Sequence, residues 1–191
     1  MATAVLDPRI ERTRKVVLEA AIQVLGERGF AGASIDAIAQ RCGVARSTIY
    51  RHWPQRMDLL LEAVTAHVGP IETLAVGDLR EDLVAIGTHL AELLTSEPIG
   101  SVVASMVLES RRDPGLDELR QRFVGQRHQS VTQVVSEAIA RGELPPGIEP
   151  SGMGNDLAAQ IFFKAIVLLE AIDRAWVEGH VDRWLERYRA H

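Results

Sequence analysis

Between Asp36 and Asp58 the chain carries four arginines, Arg41, Arg46, Arg51 and Arg56, and no acid. Ser47, Thr48, Tyr50 and His52 stand among them, so the stretch offers guanidinium, hydroxyl, phenol and imidazole donors without a competing carboxylate. Such groups donate to phosphate oxygens, and arginine also pairs in fork geometry with O6 and N7 of guanine. The chemistry is recognition rather than bond making. The parts of an enzyme are missing: no Gly-rich phosphate loop, no Cys/His cluster at metal-ligand spacing and no Glu-x-x-His pair occurs, and the six histidines are scattered. No catalytic residue, metal ligand or cofactor is expected.

The elements that must position those donors can be read from the same stretch. Ile35, Ile38, Ala39 and Cys42 fall at the spacing of one buried helical stripe, and Ser34 stands where a side-chain oxygen caps the first free amides. Gly43 follows at the point where the chain must turn, since glycine adopts positive φ without a Cβ clash, and small Ala39 lets the next helix come close. Val44 and Ile49 give that next helix a buried side. Its other face is Arg46, Ser47, Thr48, Tyr50, Arg51 and His52, and the whole is a helix-turn-helix whose second helix suits a DNA groove. Cys42 cannot pair within the chain; packing is the expected role, with a redox thiol beside Arg41 as the alternative.

The motif resembles that of the TetR family of transcriptional regulators, most specifically in Ser47-Thr48-Ile49-Tyr50-Arg51-His52-Trp53-Pro54, and the resemblance covers residues 9 to 65. Arg56 stands where the family usually has lysine, and Trp53 where it usually has phenylalanine. The resemblance implies an all-α chain with an N-terminal three-helix DNA-binding domain over residues 1–53, including an arm at 1–8, and a C-terminal helical effector-binding and dimerisation domain over 54–191. It also implies phosphate contacts from Thr48, Tyr50, His52 and Arg56, with Ser34 joining them near the backbone. Arg46, Ser47 and Arg51 are expected at base edges, and Trp53 in the packing of the small domain.

Charge is distributed accordingly. Residues 1–60 hold nine Lys and Arg against six Asp and Glu, a balance of +3, while residues 61–191 hold twelve against twenty, a balance of −8. An acidic body repels DNA everywhere except at the motif. Hydrophobic residues make up 47% of the chain and aromatics 5%, and nothing alternates long enough for a strand, so the fold is expected to be all helical. No basic segment followed by an apolar run opens the chain, and the apolar run Ile161 to Leu169 is too short for a bilayer and contains Lys164, so a cytoplasmic protein without membrane contact is expected.

Outside the motif the pattern predicts a first helix from Arg9 with Val17, Ala21, Val24 and Leu25 inward, ended by Gly29-Phe30. The early cations Arg9, Arg12, Arg14 and Lys15 are either phosphate or minor-groove contacts or an ordinary solvated helix end. Pro54 is expected to open a fourth helix that runs to about Val68, where Gly69-Pro70 breaks it. Helices are further predicted over Leu79 to Thr95, over Ile99 to Arg112, and from Asp113-Pro114 to Arg141 with an interruption at Gly125. Two amphipathic helices close the chain, one stepping through Leu157, Ile161, Ala165, Leu168 and Ile172, the other through Val177, Val181, Trp184 and Tyr188.

That terminal pair is similar to the dimerising helices of TetR-like proteins, so a homodimer through about residues 151–189 is expected beside the reading that the pair closes a monomer core. A small-molecule effector, apolar or aromatic, is also implied by the family. Polar groups within apolar helices are its candidate ligands: His89, Glu109, Arg127 and His128, and also Gln160 and Lys164, with Met106, Phe123, Phe162 and Phe163 as walls. The other reading of each, and the preferred one taken singly, is a surface residue or a satisfied core or interface group. The expected function is a homodimeric repressor released from double-stranded DNA by that ligand. The alternative is a helical adaptor that uses the helix-turn-helix for protein contacts.

Overall fold

The computed structural model describes residues 8–69 and 77–189, and among them every regular element is helical. The arm expected at 1–8 lies, apart from Pro8, outside the described residues, as do Pro70 and the Arg9 side chain. The chain divides into two compact units, one of residues up to Gly69 with Ser101–Leu119, the other of the remainder. Packing therefore divides the chain at other places than the boundary after residue 53 drawn from the motif.

In the first unit α1 (Pro8–Gly32) packs on α4 (Arg56–Val68) and on α2 (Ile35–Cys42). The expected inner stripe of α1 is buried, with Val17, Ala21, Val24 and Leu25 at most 2% exposed. Gly29 breaks the helical path with φ 64° and ψ −177°, which turns Phe30 into the core. α4 buries Leu59, Leu60, Leu61, Ala63, Val64 and Val68, yet its N-cap Gln55 makes no side-chain bond to the helix. Burying a leucine is worth roughly 1.5–3 kcal/mol and a cap about 1 kcal/mol, so packing holds this helix.

Pro54 does not open α4. Trp53 is extended, with φ −131° and ψ 91°, the region favoured by a residue before proline. Pro54 then lies in the following bend, and the helix begins at Arg56 behind Gln55.

α6 (Ile99–Glu109) ends three residues before the predicted Arg112, at a turn formed by residues 110–112. Asp113 caps α7 (Pro114–Ala140), its Oδ1 accepting from the amides of Gly115 at 2.9 Å and Leu116 at 3.2 Å. Gly125 does not interrupt α7: a single glycine costs about 1 kcal/mol relative to alanine, too little to break so long a helix. No single described helix is long and apolar enough to cross a membrane.

The second unit is built on α5 (Leu79–Thr95), whose bounds are those predicted, packed against α8 (Pro150–Phe162) and α9 (Arg174–Arg189). Asp78 caps α5 by accepting from the amide of Glu81 at 2.9 Å. Gly87 permits the close approach of the three helices: a Cβ there would stand 2.9 Å from Cγ1 of Val177 and 3.3 Å from Cδ1 of Ile161. Val177, Val181 and Trp184 are buried as their spacing predicts.

The first helix of the terminal pair is shorter than its apolar steps imply. α8 passes into one π-helical turn, Phe163–Val167, and the helix ends there, so Leu168 and Ile172 are not helical. The amide of Leu168 donates to Phe163 O at 3.0 Å, that of Glu170 to Lys164 O at 3.1 Å, and Leu169 takes φ 54°. Lys164 pairs with Glu170 and lies 5.6 Å from the ring centroid of Trp176, which anchors the turn. Phe163, Val167, Leu168 and Leu169 are left exposed at 53, 58, 48 and 82%.

Candidate nucleic-acid interface

The helix-turn-helix forms as its residues dictate. The amide of Ala37 donates to Ser34 Oγ at 3.2 Å, and Gly43 ends α2 at φ 69° with its amide bonded to Ala39 O at 2.9 Å. α3 (Arg46–His52) begins behind Ala45, which has no side-chain cap to offer. Ile38 and Ile49, both fully buried, lock the two helices together. That burial fixes the rotation of α3, so the opposite face is presented outward. Arg46, Ser47, Tyr50 and Arg51 are exposed, and Thr48 and His52 are half-buried.

Ser34, Arg46, Ser47, Thr48, Tyr50, Arg51 and His52 thus lie on α3 or at the start of α2. Arg56 is engaged differently. Its Nη1 donates to the carbonyls of Phe30 at 2.6 Å and Ala33 at 3.4 Å, which ties the start of α4 to the end of α1. Arg56 is half-buried.

Two further arginines of the motif have acidic partners that the sequence pattern did not reveal. Arg41 forms a fork with both carboxylate oxygens of Glu27 and reaches Gln23 at 3.3 Å. That bond raises the Arg41 pKa and holds the Glu27 carboxyl below its ordinary range. Arg46 pairs with Asp36 at 2.8 Å. The positive surface inferred from four arginines is therefore less than four free charges. Each pair joins residues ten or more apart on different helices, where periodicity within one helix gives no signal.

Trp53 is buried to 3% exposure. Its indole N–H donates to Glu62 Oε2 at 2.8 Å, Arg14 pairs with the other oxygen, and the Arg14 guanidinium stands 5.0 Å from the indole centroid. Arg14 is thus a packing cation. Arg12 and Lys15 line a groove of about 740 Å³ between α1 and α4, with Leu18 and Ile22 in its wall. Cys42 is half-buried, its Sγ 3.8 Å from Ala39 O, in keeping with packing.

The candidate effector residues do not share one compact unit. Met106, fully buried, and half-buried Glu109 belong to the first; His89, Phe123, Arg127, His128, Phe162 and Phe163 belong to the second. Phe123 is buried and Arg127 lies 5.4 Å from its ring centroid, whereas Phe163 is exposed.

Residues 17–63 match the family described as bacterial regulatory proteins, tetR family, and residues 75–184 match the tetracyclin repressor-like C-terminal domain. The HTH-type transcriptional regulator YdeS of Bacillus subtilis strain 168 is 29% identical over 179 residues, 91% of this chain and 88% of that protein. The HTH-type transcriptional repressor LfrR of Mycolicibacterium smegmatis is 32% identical over 142 residues, 72% of this chain and 71% of that protein. The crystal structure of the TetR family transcription regulator SCO0332 superposes with a TM-score of 0.74 at 22% identity, covering 92% of this chain and 97% of that one. With a donor-bearing recognition helix and a matching helical body, the chain belongs to the TetR family and is a helix-turn-helix, DNA-binding transcriptional regulator.

Proposed function

We propose that the protein acts in the cytoplasm as a homodimeric repressor that leaves its operator when a small apolar or aromatic ligand binds the helical body. The observation that carries the DNA-binding part is the outward face of α3, where Arg46, Ser47, Tyr50 and Arg51 are exposed while Ile49 is buried. Arg46, Ser47 and Arg51 read base edges; Thr48, Tyr50, His52 and the uncommitted N–H groups of Arg56 hold phosphates, with Ser34 near the backbone. Repression has the support of LfrR, which is named a repressor.

The dimer is carried by the exposed apolar cluster at Phe163, Val167, Leu168 and Leu169, between the last two helices. Monomers seldom leave such a cluster in water. Two copies would then set two recognition helices against half-sites along one DNA face. The effector would draw on His89, Phe123, Arg127, His128 and Phe162 in the second unit, and would compete with DNA by favouring a different disposition of the dimer. The experiment is a gel shift on DNA flanking the gene of this protein, repeated across salt, with sedimentation of the free chain. A retarded band that weakens steeply with salt and a dimeric mass are expected; salt-insensitive or absent binding counts against the reading.

A further inference from the structure

Asp36 is the single acid between Glu27 and Asp58, and it is paired with the first residue of the recognition helix. The Asp36 Oδ1 to Arg46 Nη1 distance is 2.8 Å, and both side chains are about two-thirds exposed, at 63% and 64%. A pair that open to water adds little to stability. The two helices that carry it are nevertheless fixed, because Ile38 and Ile49 hold α2 against α3 and Gly43 sets the turn between them. A carboxylate on α2 is thereby held against a guanidinium on α3.

We propose that Asp36 is a specificity-determining residue of the DNA-binding motif, which orients Arg46 from behind and withholds its charge from phosphates. The proposal rests on the reading that Arg46 faces base edges. Arginine has donors on both edges of its plane, so a carboxylate on Nη1 leaves other N–H groups for a base. A long side chain that would otherwise rotate is held before DNA arrives, which lowers the ordering cost of a correct contact. Against random sequence the same carboxylate does harm. It neutralises one cation of the motif and repels nearby phosphates, so non-specific binding weakens. Arg46 gains only where a base offers it acceptors, and discrimination comes from the repulsive element as much as from the attractive one. Two other motif arginines are not arranged in this way: Arg41 is clamped by Glu27 on α1, and Arg56 bonds the carbonyls of Phe30 and Ala33.

The test uses the full chain as wild type, Asp36→Asn, Arg46→Ala and the double variant. Wild type first selects duplexes from a random library. Affinity is then measured for the selected duplex, its single-base variants and a mixed-sequence duplex of equal length, over a range of salt. Asp36→Asn is expected to bind the mixed duplex about 3- to 10-fold tighter, with a salt slope steeper by about one. Its preference for the selected duplex over the variant at the Arg46 base should fall about 5-fold or more, an effect absent when Arg46→Ala is already present. Unchanged preference and unchanged mixed-duplex affinity overturn the proposal. So does an equal loss on all duplexes with a lowered melting temperature, which would leave Asp36 only a helix-start role. An equal change of preference without Arg46 overturns its route through that residue. If wild type selects no duplex, the DNA-binding reading falls first and this proposal with it.

Discussion

The indole N–H of Trp53 donates to Glu62 Oε2 at 2.8 Å, and Arg14 takes the other oxygen of the same carboxylate. One acid on α4 therefore holds the residue that ends α3 and a cation from α1. The orientation of the recognition helix depends on this carboxylate as well as on apolar burial. Trp53→Phe removes the donor and some buried area while leaving Glu62 charged. It should lower stability by about 1.5–3 kcal/mol, the range for a hydrogen bond to a charged group. Denaturant unfolding of the full chain checks this, and a loss within error would mean that Arg14 alone satisfies Glu62.

On α3 the exposed phenol of Tyr50 and the exposed guanidinium of Arg46 should behave differently. Tyr50→Ala should weaken binding to every duplex alike, by about 1 to 3 kcal/mol, while Arg46→Ala should flatten the preference at one base. Fluorescence anisotropy against a panel of single-base duplexes separates the two. Uniform loss with Arg46→Ala would show that it holds phosphate.

Leu169, 82% exposed at φ 54°, sits in the apolar cluster after the π-helical turn. Leu169→Asp and Phe163→Asp place a charge there without touching the buried core. Both should shift sedimentation toward the monomer. A wild-type mass in both variants would put the self-association surface elsewhere.

His180 is 3% exposed, with Nε2 3.1 Å from Leu157 O, and its ring stacks on Trp176 at 5.2 Å. Burial lowers its pKa below the ordinary 6.5, and Arg183 adds to the shift, though the Leu157 carbonyl opposes it. With the folded pKa depressed, the unfolded chain binds the proton more readily. The contribution of the neutral ring is thus complete above about pH 6.5 and declines as pH falls through the folded pKa. Melting temperature should drop on acidification from this cause, and His180→Gln, which can still donate to Leu157 O, should drop less. Parallel melting curves at neutral and mildly acid pH decide it.

Gly87 admits no side chain at the junction of α5, α8 and α9, since a Cβ would meet Val177 at 2.9 Å. Gly87→Val should cost about 1–3 kcal/mol or more by overpacking, seen as a lower denaturation midpoint. An unchanged midpoint would mean that α9 yields without loss.

Much of this was legible in local sequence. Ser34 and Asp113 act through the amides two or three residues on, and Gly43 through its own φ, so each could be read from its neighbours. Buried stripes such as Val17, Ala21, Val24 and Leu25 follow the helical repeat. What could not be read were relationships between helices. Asp36 with Arg46, Glu27 with Arg41 and Arg56 with Phe30 O depend on how helices pack, and they change which cations are available. The apolar steps through Leu168 and Ile172 continue past the place where Lys164 and Glu170 close the turn, so periodicity overran the helix. The effector residues had no spacing rule at all, which is why Met106 and Glu109 fell into one compact unit and the others into the second.

The first unit is also discontinuous in the chain: it is left after Gly69 and entered again at Ser101, ending with Leu119. During synthesis the helix-turn-helix emerges early, but its surroundings are incomplete until residue 119 has left the ribosome. Val102, Met106, Leu116 and Leu119, all at most 1% exposed in the finished fold, arrive only then. Part of the acidic body, residues 70–100, is therefore made before the first unit is whole.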